Sequence, residues 1–173
     1  ALPEYKRAAF IGRVFPDPML GTAPTMQIEE NLALALRRGK KRTLKWGVTK
    51  QEREDYYDRL HALGLGLEKR MTDKVGLLSG GQRQALTLLM ASLQKPKLLL
   101  LDEPTKGLDL ESRRIIARAL RDHAKAGGTV IMATHDLDFA EQVADDVAMM
   151  FDGEIACMEP PADFFADNVF YRA

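Results

Sequence analysis

The sequence predicts an α/β fold in which a mostly parallel sheet carries an inserted helical region. From residue 96 to residue 173, short apolar segments alternate with longer segments of helical periodicity, which is typical of a parallel sheet covered by helices. From residue 26 to residue 95, apolar residues recur at helical spacing instead. We therefore divide the chain into a strand and loop over residues 1–25, a helical subdomain over residues 26–95 and an α/β core over residues 96–173.

The first segment is expected to be a short strand that ends in a loop. The residues from Ala8 to Phe15 favour a strand, and Pro16-Asp17-Pro18 follows them directly. Proline has no N–H with which to continue a ladder of hydrogen bonds, so the strand is expected to stop there.

Three helices are predicted in the helical subdomain. Thr25 is the expected N-cap of the first. The second begins with a capping box that opens at Thr49 and pairs it with Glu52, and it ends at Gly64. The third opens at Gly80.

A basic stretch, Arg37–Arg42, separates the first two helices and is followed by Lys45 and Trp46. It fits a contact for lipid headgroups, RNA or a partner loop, but a solvated linker between helices is the favoured interpretation.

The α/β core is expected to contain three strands and two helices. They are a strand over Lys97–Leu101, a helix over Leu110–Ala126, a strand over Thr129–Ala133, a helix over Leu137–Ala144 and a strand over Val147–Phe151.

Composition limits the classes of function. Lys and Arg together number 25, as do Asp and Glu, so the zero net charge gives no argument for nucleic acid as a partner. Cys157 is the single cysteine, which excludes an internal disulfide and a cysteine-based zinc site and favours a reducing compartment. No apolar run reaches the roughly 18 residues of a membrane span, and the first residues lack a signal-peptide pattern.

The run Leu78-Ser79-Gly80-Gly81-Gln82 has the chemistry of a phosphate-binding helix start. Ser79 can cap the helix that follows, and Gly80 and Gly81 let backbone N–H groups and the positive end of the helix dipole approach an anion. A capped helix with a glycine hinge has the same sequence, so this run alone does not decide between the two interpretations.

Two adjacent carboxylates, Asp102 and Glu103, end the apolar strand of the core. Ligands of open α/β sheets bind at the carboxyl ends of strands. Side chains alternate along an extended chain, so one carboxylate can organise Mg²⁺ through its water shell while the other faces an attacking water. The alternative is an acidic turn ended by Pro104.

His135 follows the next strand and can hydrogen-bond a γ-phosphate or hold the attacking water in line. A lone histidine carries little weight. Four groups occur in order, each at the edge of an element: Ser79–Gln82, Asp102-Glu103, Leu108-Asp109 and His135. Together they predict nucleoside triphosphate hydrolysis.

These residues together resemble the ATP-binding cassette ATPases, the nucleotide-binding domains of ABC transporters. The resemblance covers nearly the whole chain and implies a P-loop NTPase-like fold with the helical subdomain inserted as the signature region. The matching motifs are the signature Leu78–Gln82, the Walker B strand Leu98–Glu103, the D-loop Thr105–Asp109 and the switch histidine in Thr134–Asp136.

The resemblance also implies roles for single residues. Ser79, Gly80 and Gly81, with Gln82, would close over ATP held by a second ATPase subunit, so they would act in trans. Glu103 would be the general base or the residue that positions the attacking water, and Asp102 would be a water-mediated partner of Mg²⁺. His135 would contact the γ-phosphate. Asp109 would belong to the nucleotide-binding residues and would link the two subunits.

Two departures from the family pattern stand out. Pro16 occupies the Q-loop position, where a glutamine normally contacts the metal and the attacking water, and proline has no side-chain amide. The 173 residues contain no G-x-x-x-x-G-K-[ST] loop, the Walker A motif. We therefore expect the N-terminal part of the domain to be absent, as in a fragment or a degenerate member.

The leading hypothesis is an ATP-hydrolysing subunit that works with a transmembrane permease and a second ATPase subunit, in the cytoplasm on the inner face of the cell membrane. Its cofactors would be ATP and Mg²⁺, nucleic acid is not an expected partner, and this chain alone is expected to be inactive. There are two alternatives. One is a soluble ABC-type ATPase of DNA repair or chromosome organisation, which would carry a long heptad coiled coil before the signature. The other is a non-catalytic binding fragment.

Overall fold

The computed structural model describes residues 3–40 and 47–167. The chain forms two compact units, Ala1–Ala133 and Thr134–Ala173. Within the described ranges, no helix combines the length and apolar character needed to cross a membrane.

A parallel sheet of three strands lies in the first unit, after a one-turn helix α1 (Glu4–Arg7). Its strands are β1 (Ile11–Val14), β2 (Leu98–Asp102) and β3 (Thr129–Ala133), with β2 in the centre. Leu99 of β2 lies opposite Gly12 of β1 and Val130 of β3. The predicted α/β fold with a parallel sheet is confirmed, and all three strands end at one edge.

The helical subdomain is built from α2 (Ile28–Leu36), α3 (Lys50–Leu63) and α4 (Gly80–Ser92), with single 3₁₀ turns at Leu67–Lys69 and Val75–Leu77. Its core is a cluster of buried apolar side chains, because each helix turns one apolar stripe inward. The cluster includes Ile28, Leu32, Tyr56, Leu60, Leu67, Val75, Leu86 and Leu93.

Local hydrogen bonds set the helix boundaries. The Oγ1 atom of Thr49 accepts from the N–H of Glu52 at 3.2 Å, and Gly64 ends α3 at a φ of 72°, as the sequence predicts. The prediction of Thr25 as the first N-cap is wrong. The cap is Gln27, whose N–H donates to Oε2 of Glu30 at 2.8 Å, so the helix begins two residues later than predicted.

A buried asparagine fixes the loop that precedes α2. The Oδ1 atom of Asn31 accepts from the N–H of Ala23 at 2.7 Å, and its Nδ2 atom donates to the carbonyls of Ala23 and Gln27 at 3.1 and 2.9 Å. The same loop pairs with the chain ahead of α4, since Gly76 donates its N–H to the carbonyl of Pro24 at 2.9 Å. These bonds hold two distant stretches of chain side by side.

The basic stretch after α2 lies only partly within the described ranges. Arg37 donates to both carboxylate oxygens of Glu52, at 2.9 and 3.0 Å, while Arg38 and Lys40 are exposed. Lys41, Arg42, Lys45 and Trp46 lie outside the described residues, so the two interpretations of the stretch stay as predicted.

Helix α5 (Leu110–Lys125) connects β2 to β3 and completes the first unit. His123 in its last turn is half-buried, and its Nε2 atom has no hydrogen-bond partner. The ring fills the space beside Gly128, where an added Cβ would lie 2.5 Å from the ring Cδ2. Burial lowers the pKa of His123 from its ordinary value of 6.5.

The second unit contains α6 (Leu137–Val143), β4 (Val147–Phe151), β5 (Glu154–Glu159) and α7 (Pro161–Asp167). The strand predicted over Val147–Phe151 is present, but it pairs antiparallel with β5 rather than within the parallel sheet. Asp152 and Gly153 form the tight turn between them, with φ values of 49° and 82°. An Asp-Gly turn favours a hairpin, and the sequence analysis did not use this signal.

We expect Asn31→Ala to lower the free energy of unfolding by about 2–3 kcal/mol, because buried backbone groups of the loop lose their partners. Leu34→Ala on the same helix is the control. Leu34 is 56% exposed, so its truncation should cost no more than about 0.5 kcal/mol. Urea denaturation of both variants measures the difference, and equal losses would show that the Asn31 hydrogen bonds add no net stability.

We also expect stability to fall as the pH drops below about 6.5, since His123 takes up a proton in the unfolded chain before it does so in the folded chain. His123→Asn should flatten this part of the pH dependence. Urea midpoints at pH 7.5 and pH 5.5 for the parent and the variant test this, and identical slopes would contradict it.

Candidate functional site

The N-terminus of α4 is a complete capping box. Ser79 accepts the N–H of Gln82 on its Oγ atom at 3.2 Å, and the Oε1 atom of Gln82 accepts the N–H of Ser79 at 3.2 Å. Ser79 and Gly80 are exposed. The predicted helix start at Gly80 is confirmed, and the positive end of the helix dipole faces solvent at this point.

Gln82 is the most internally bonded residue of the predicted signature. Besides Ser79, its side chain accepts from Nη1 of Arg70 and donates to the carbonyl of Leu65, both at 3.4 Å. Arg70 is itself held by Asp73, whose Oδ2 atom lies 2.7 Å from its Nε. Gln82 therefore connects the helix start to the preceding loop, and its role toward a nucleotide stays a prediction.

The two signature glycines have different surroundings. Gly80 faces open space, since a Cβ added there would have no heavy atom within 4 Å. Gly81 is buried, and a Cβ there would lie 2.8 Å from Cβ of Ser112 and closer still to its Oγ. Packing inside the chain thus requires glycine at Gly81 but not at Gly80.

Arg83 holds the segment that leads into the signature. Its guanidinium donates to the carbonyls of Val75, Gly76 and Leu78, at 3.4, 3.2 and 2.8 Å. Because Gly76 is also bonded to Pro24, the segment before the signature is fixed to the loop that follows Pro16.

The acidic pair lies where the sequence predicts, at the carboxyl end of β2. Asp102 is the last residue of the strand and is exposed, whereas Glu103 is half-buried. Glu103 has a φ of 48°, and its N–H donates to the carbonyl of Ala133 at 2.9 Å. A left-handed backbone is unfavourable for a residue with a Cβ and is concentrated at functional sites.

The predicted D-loop turns tightly after Glu103. Lys106 donates its N–H to the carbonyl of Glu103 at 3.2 Å, and Leu108 donates to that of Thr105 at 3.1 Å. Gly107 adopts a φ of 70° with open space around it, so backbone conformation rather than packing explains this glycine.

Asp109 ends the D-loop and caps α5. Its Oδ1 atom accepts the N–H of Ser112 at 2.8 Å. This bond, together with a second from the Ser112 hydroxyl, lowers the pKa of Asp109 below its ordinary value. The carboxylate is therefore charged and fixed in direction, which suits a group that contacts a neighbouring subunit or a ligand.

Pro16 is half-buried, two residues beyond β1, and a turn follows it at once. The Oδ1 atom of Asp17 accepts the N–H of Met19 at 2.8 Å, and Leu20 donates to the carbonyl of Asp17 at 3.1 Å. The predicted Q-loop position thus lies near the carboxyl edge of the sheet, just after β1, the strand next to β2.

His135 belongs to the second unit and is exposed, two residues after β3. The neighbouring Asp136 caps α6 by accepting the N–H of Phe139 at 3.2 Å. Its predicted contact with a γ-phosphate stays a prediction.

Among the described residues, no cluster of three or more His, Cys, Asp or Glu side chains could hold a metal ion alone. A single carboxylate at a strand end still fits Mg²⁺, which commonly keeps several waters and binds one or two carboxylates plus substrate phosphates. The exposed Asp102 has this character.

Three residues that position the site, Ser112, Arg83 and Asn31, were not predicted from the sequence. Ser112 stands three residues after Asp109, a spacing typical of a helix cap, which is a usable signal. Arg83 and Asn31 act through carbonyls of distant loops, and no local pattern indicates such bonds.

Known proteins resemble this chain over most of its length. Residues 28–140 match an AAA domain family whose description names the AbiEii toxin and a Type IV TA system. The Tyrosine transport ATP-binding protein of Clostridioides difficile (strain R20291) is 43% identical over 155 residues, covering 89% of this chain and 61% of the relative. The Dipeptide transport ATP-binding protein DppD of Bacillus subtilis (strain 168) is 34% identical, covering 92% of this chain and 47% of the relative.

Solved structures of ATP-binding cassette proteins also resemble this chain. A dimeric ATP-binding cassette in a post-hydrolysis state, bound to ADP and Pi, matches with a TM-score of 0.76 and 28% identity over 92% of this chain and 68% of that one. CbiO1 of Clostridium perfringens, part of the ABC transporter complex CbiONQ, matches with a TM-score of 0.74 and 27% identity over 95% of this chain and 62% of that one. This chain therefore spans about half to two thirds of the length of these proteins, and it belongs to the ATP-binding cassette family of ABC transporter ATP-binding proteins.

Proposed function

We propose that this chain is the ATP-hydrolysing part of an ABC transporter, in which two ATPase subunits close around ATP and drive a transmembrane permease. The observation that carries the proposal is the difference between the two signature glycines. Gly81 is explained by its contact with Ser112, whereas Gly80 is exposed with no neighbour that requires glycine. A ligand that approaches from outside the chain, such as ATP bound to the other subunit, accounts for Gly80.

The signature would bind the γ-phosphate through the start of α4. Backbone N–H groups at a helix N-terminus and the positive dipole end favour an anion. Ser79 uses its oxygen as an acceptor for Gln82, so its hydroxyl proton is free to be donated to a phosphate oxygen. Ser79, Gly80 and Gly81 would therefore act together in trans, with Gln82 holding Ser79 in place.

Glu103 would accept a proton from the attacking water or hold that water in line. Its left-handed backbone and its bond to Ala133 fix where the carboxylate begins, at the edge of the sheet. Asp102 on the strand end would hold Mg²⁺ through water, and the metal would neutralise charge on the phosphates when bound.

His135 would contact the γ-phosphate, and Asp109 would link the two subunits. The support for His135 is its place at the end of β3 and its match to the switch position of the family. The support for Asp109 is its place at the end of the D-loop, where the N–H of Ser112 fixes the direction of its carboxylate.

The relatives support a proposal for the partners and the location. The two curated relatives are named as transport ATP-binding proteins for tyrosine and dipeptide, and CbiO1 is part of a transporter complex. We propose by analogy a permease partner, a second ATPase subunit and a place in the cytoplasm on the inner face of the membrane.

The helical subdomain favours a transporter over an ABC-type ATPase of DNA repair. Helices α2 and α3 have 9 and 14 residues and fold back onto a compact apolar core. A coiled-coil arm would need heptads sustained over several turns instead. Since the 173 residues contain no Walker A motif, we propose that they do not turn over ATP by themselves and that they depend on a phosphate-binding loop outside them.

We expect Glu103→Gln in the complete gene product to lower ATP turnover by at least about 100-fold, because the amide cannot accept a proton. Binding of Mg-ATP should persist, and the ATP-bound dimer should accumulate in size-exclusion chromatography. Glu54→Gln is the matched control, since Glu54 is an exposed carboxylate of α3. Turnover by Glu103→Gln at the parent rate would show that another residue activates the water.

We expect Pro16→Gln to raise kcat about tenfold, equivalent to about 1.4 kcal/mol, because the restored amide can contact Mg²⁺ and the attacking water. Pro18→Gln, the same substitution two residues along the loop, should leave kcat unchanged. Steady-state assays at saturating Mg-ATP compare the two. An unchanged kcat in Pro16→Gln would contradict a Q-loop role for this position.

A further inference from the structure

The starts of α4 and α5 touch at one point. Gly81 is the second residue of α4 and Ser112 is the third residue of α5, and a Cβ on Gly81 would lie only 2.8 Å from Cβ of Ser112. Real Cβ atoms do not approach each other so closely, so the two helix starts are packed without slack.

Ser112 also bonds to the end of the D-loop. Its N–H donates to Oδ1 of Asp109 at 2.8 Å. Ser112 is buried, with 7% of its surface exposed. One residue therefore meets the signature helix through its side chain and the D-loop through its N–H.

Arg113 adds a hydrogen bond within the same turn, from Leu108 to Arg113. Its Nε atom donates to the carbonyl of Leu108 at 3.3 Å, next to the bond between Ser112 and Asp109. The turn from Leu108 to Arg113 is thus bonded internally, and Ser112 is its contact with α4.

We propose that Ser112 is a positioning residue that couples the signature of this subunit to its own D-loop. The inference rests on the proposed function, in which both segments face the partner subunit. A shift of Asp109 when the subunits close moves Ser112 and hence the start of α4, because the contact with Gly81 leaves no gap to absorb it. Interfaces packed in this way switch between discrete arrangements instead of deforming gradually.

The contact itself is tested by thermal melting of a double-mutant cycle. Gly81→Ala should lower the melting temperature by several degrees, while Gly80→Ala, its neighbour in open space, should not lower it. Ser112→Gly removes the obstructing Cβ and Oγ, so the double variant should lose less than the sum of the single losses. Strictly additive losses would overturn the inference, because the two residues would then not contact each other.

The coupling is tested by ATP-driven dimer formation of the complete gene product in a Glu103→Gln background. Ser112→Ala keeps the Cβ against Gly81 but removes the hydroxyl that lies nearest to the Cβ position of Gly81. It should raise the Mg-ATP concentration for half-maximal dimer about tenfold, with a melting temperature near that of the parent. Ser92→Ala is the matched control, since the Ser92 hydroxyl donates to the carbonyl of Leu89 at the far end of α4.

The possible results distinguish a failure of the Ser112 inference from a failure of the proposed function. A parent that dimerises with ATP and a Ser112→Ala variant with an unchanged midpoint would overturn the inference alone. A Glu103→Gln parent that forms no dimer at any Mg-ATP concentration would contradict the proposed function and the inference with it. A midpoint shift of similar size in Ser92→Ala would also overturn the inference about Ser112, because the effect would then not be specific to Ser112.

Discussion

The contact between Gly81 and Ser112 is the constraint on which the rest of the site depends. It places the N-terminus of α4 against the first turn of α5, which follows the D-loop after Asp102 and Glu103. Since a Cβ at Gly81 has no room, glycine is required where the two helix starts meet. The signature and the D-loop are therefore parts of one packed corner, and the geometry of one follows from that of the other.

A second set of bonds ties the opposite side of α4 to the loop after β1. Asn31 holds that loop through its backbone, Gly76 bonds to Pro24, and Arg83 holds the carbonyls ahead of the signature. The segment at Pro16 and the signature are thus connected by backbone hydrogen bonds. A change at Pro16 has a physical route to α4 besides any direct effect on a metal.

The sequence predicted those features that depend on local chemistry. The capping boxes at Thr49 and Ser79 and the buried strand that ends at Asp102 are set by neighbours within a few residues. Two other local signals were not recognised, the cap of the first helix and the turn after β4. The first helix begins at Gln27 because its cap pairs with Glu30, and β4 pairs with β5 because an Asp-Gly turn returns the chain. The reason for glycine at Gly81 becomes visible only when α5 is present.

Hydrogen exchange of the complete gene product, measured with and without Mg-ATP, tests whether the signature and the D-loop respond to nucleotide as one unit. The amide of Gln82 bonds to Ser79 in the signature, and the amide of Ser112 bonds to Asp109 in the D-loop. If the two segments form one coupled corner, Mg-ATP should slow exchange at both amides together and over the same range of nucleotide concentration. Slower exchange at Gln82 with no change at Ser112 would contradict the account.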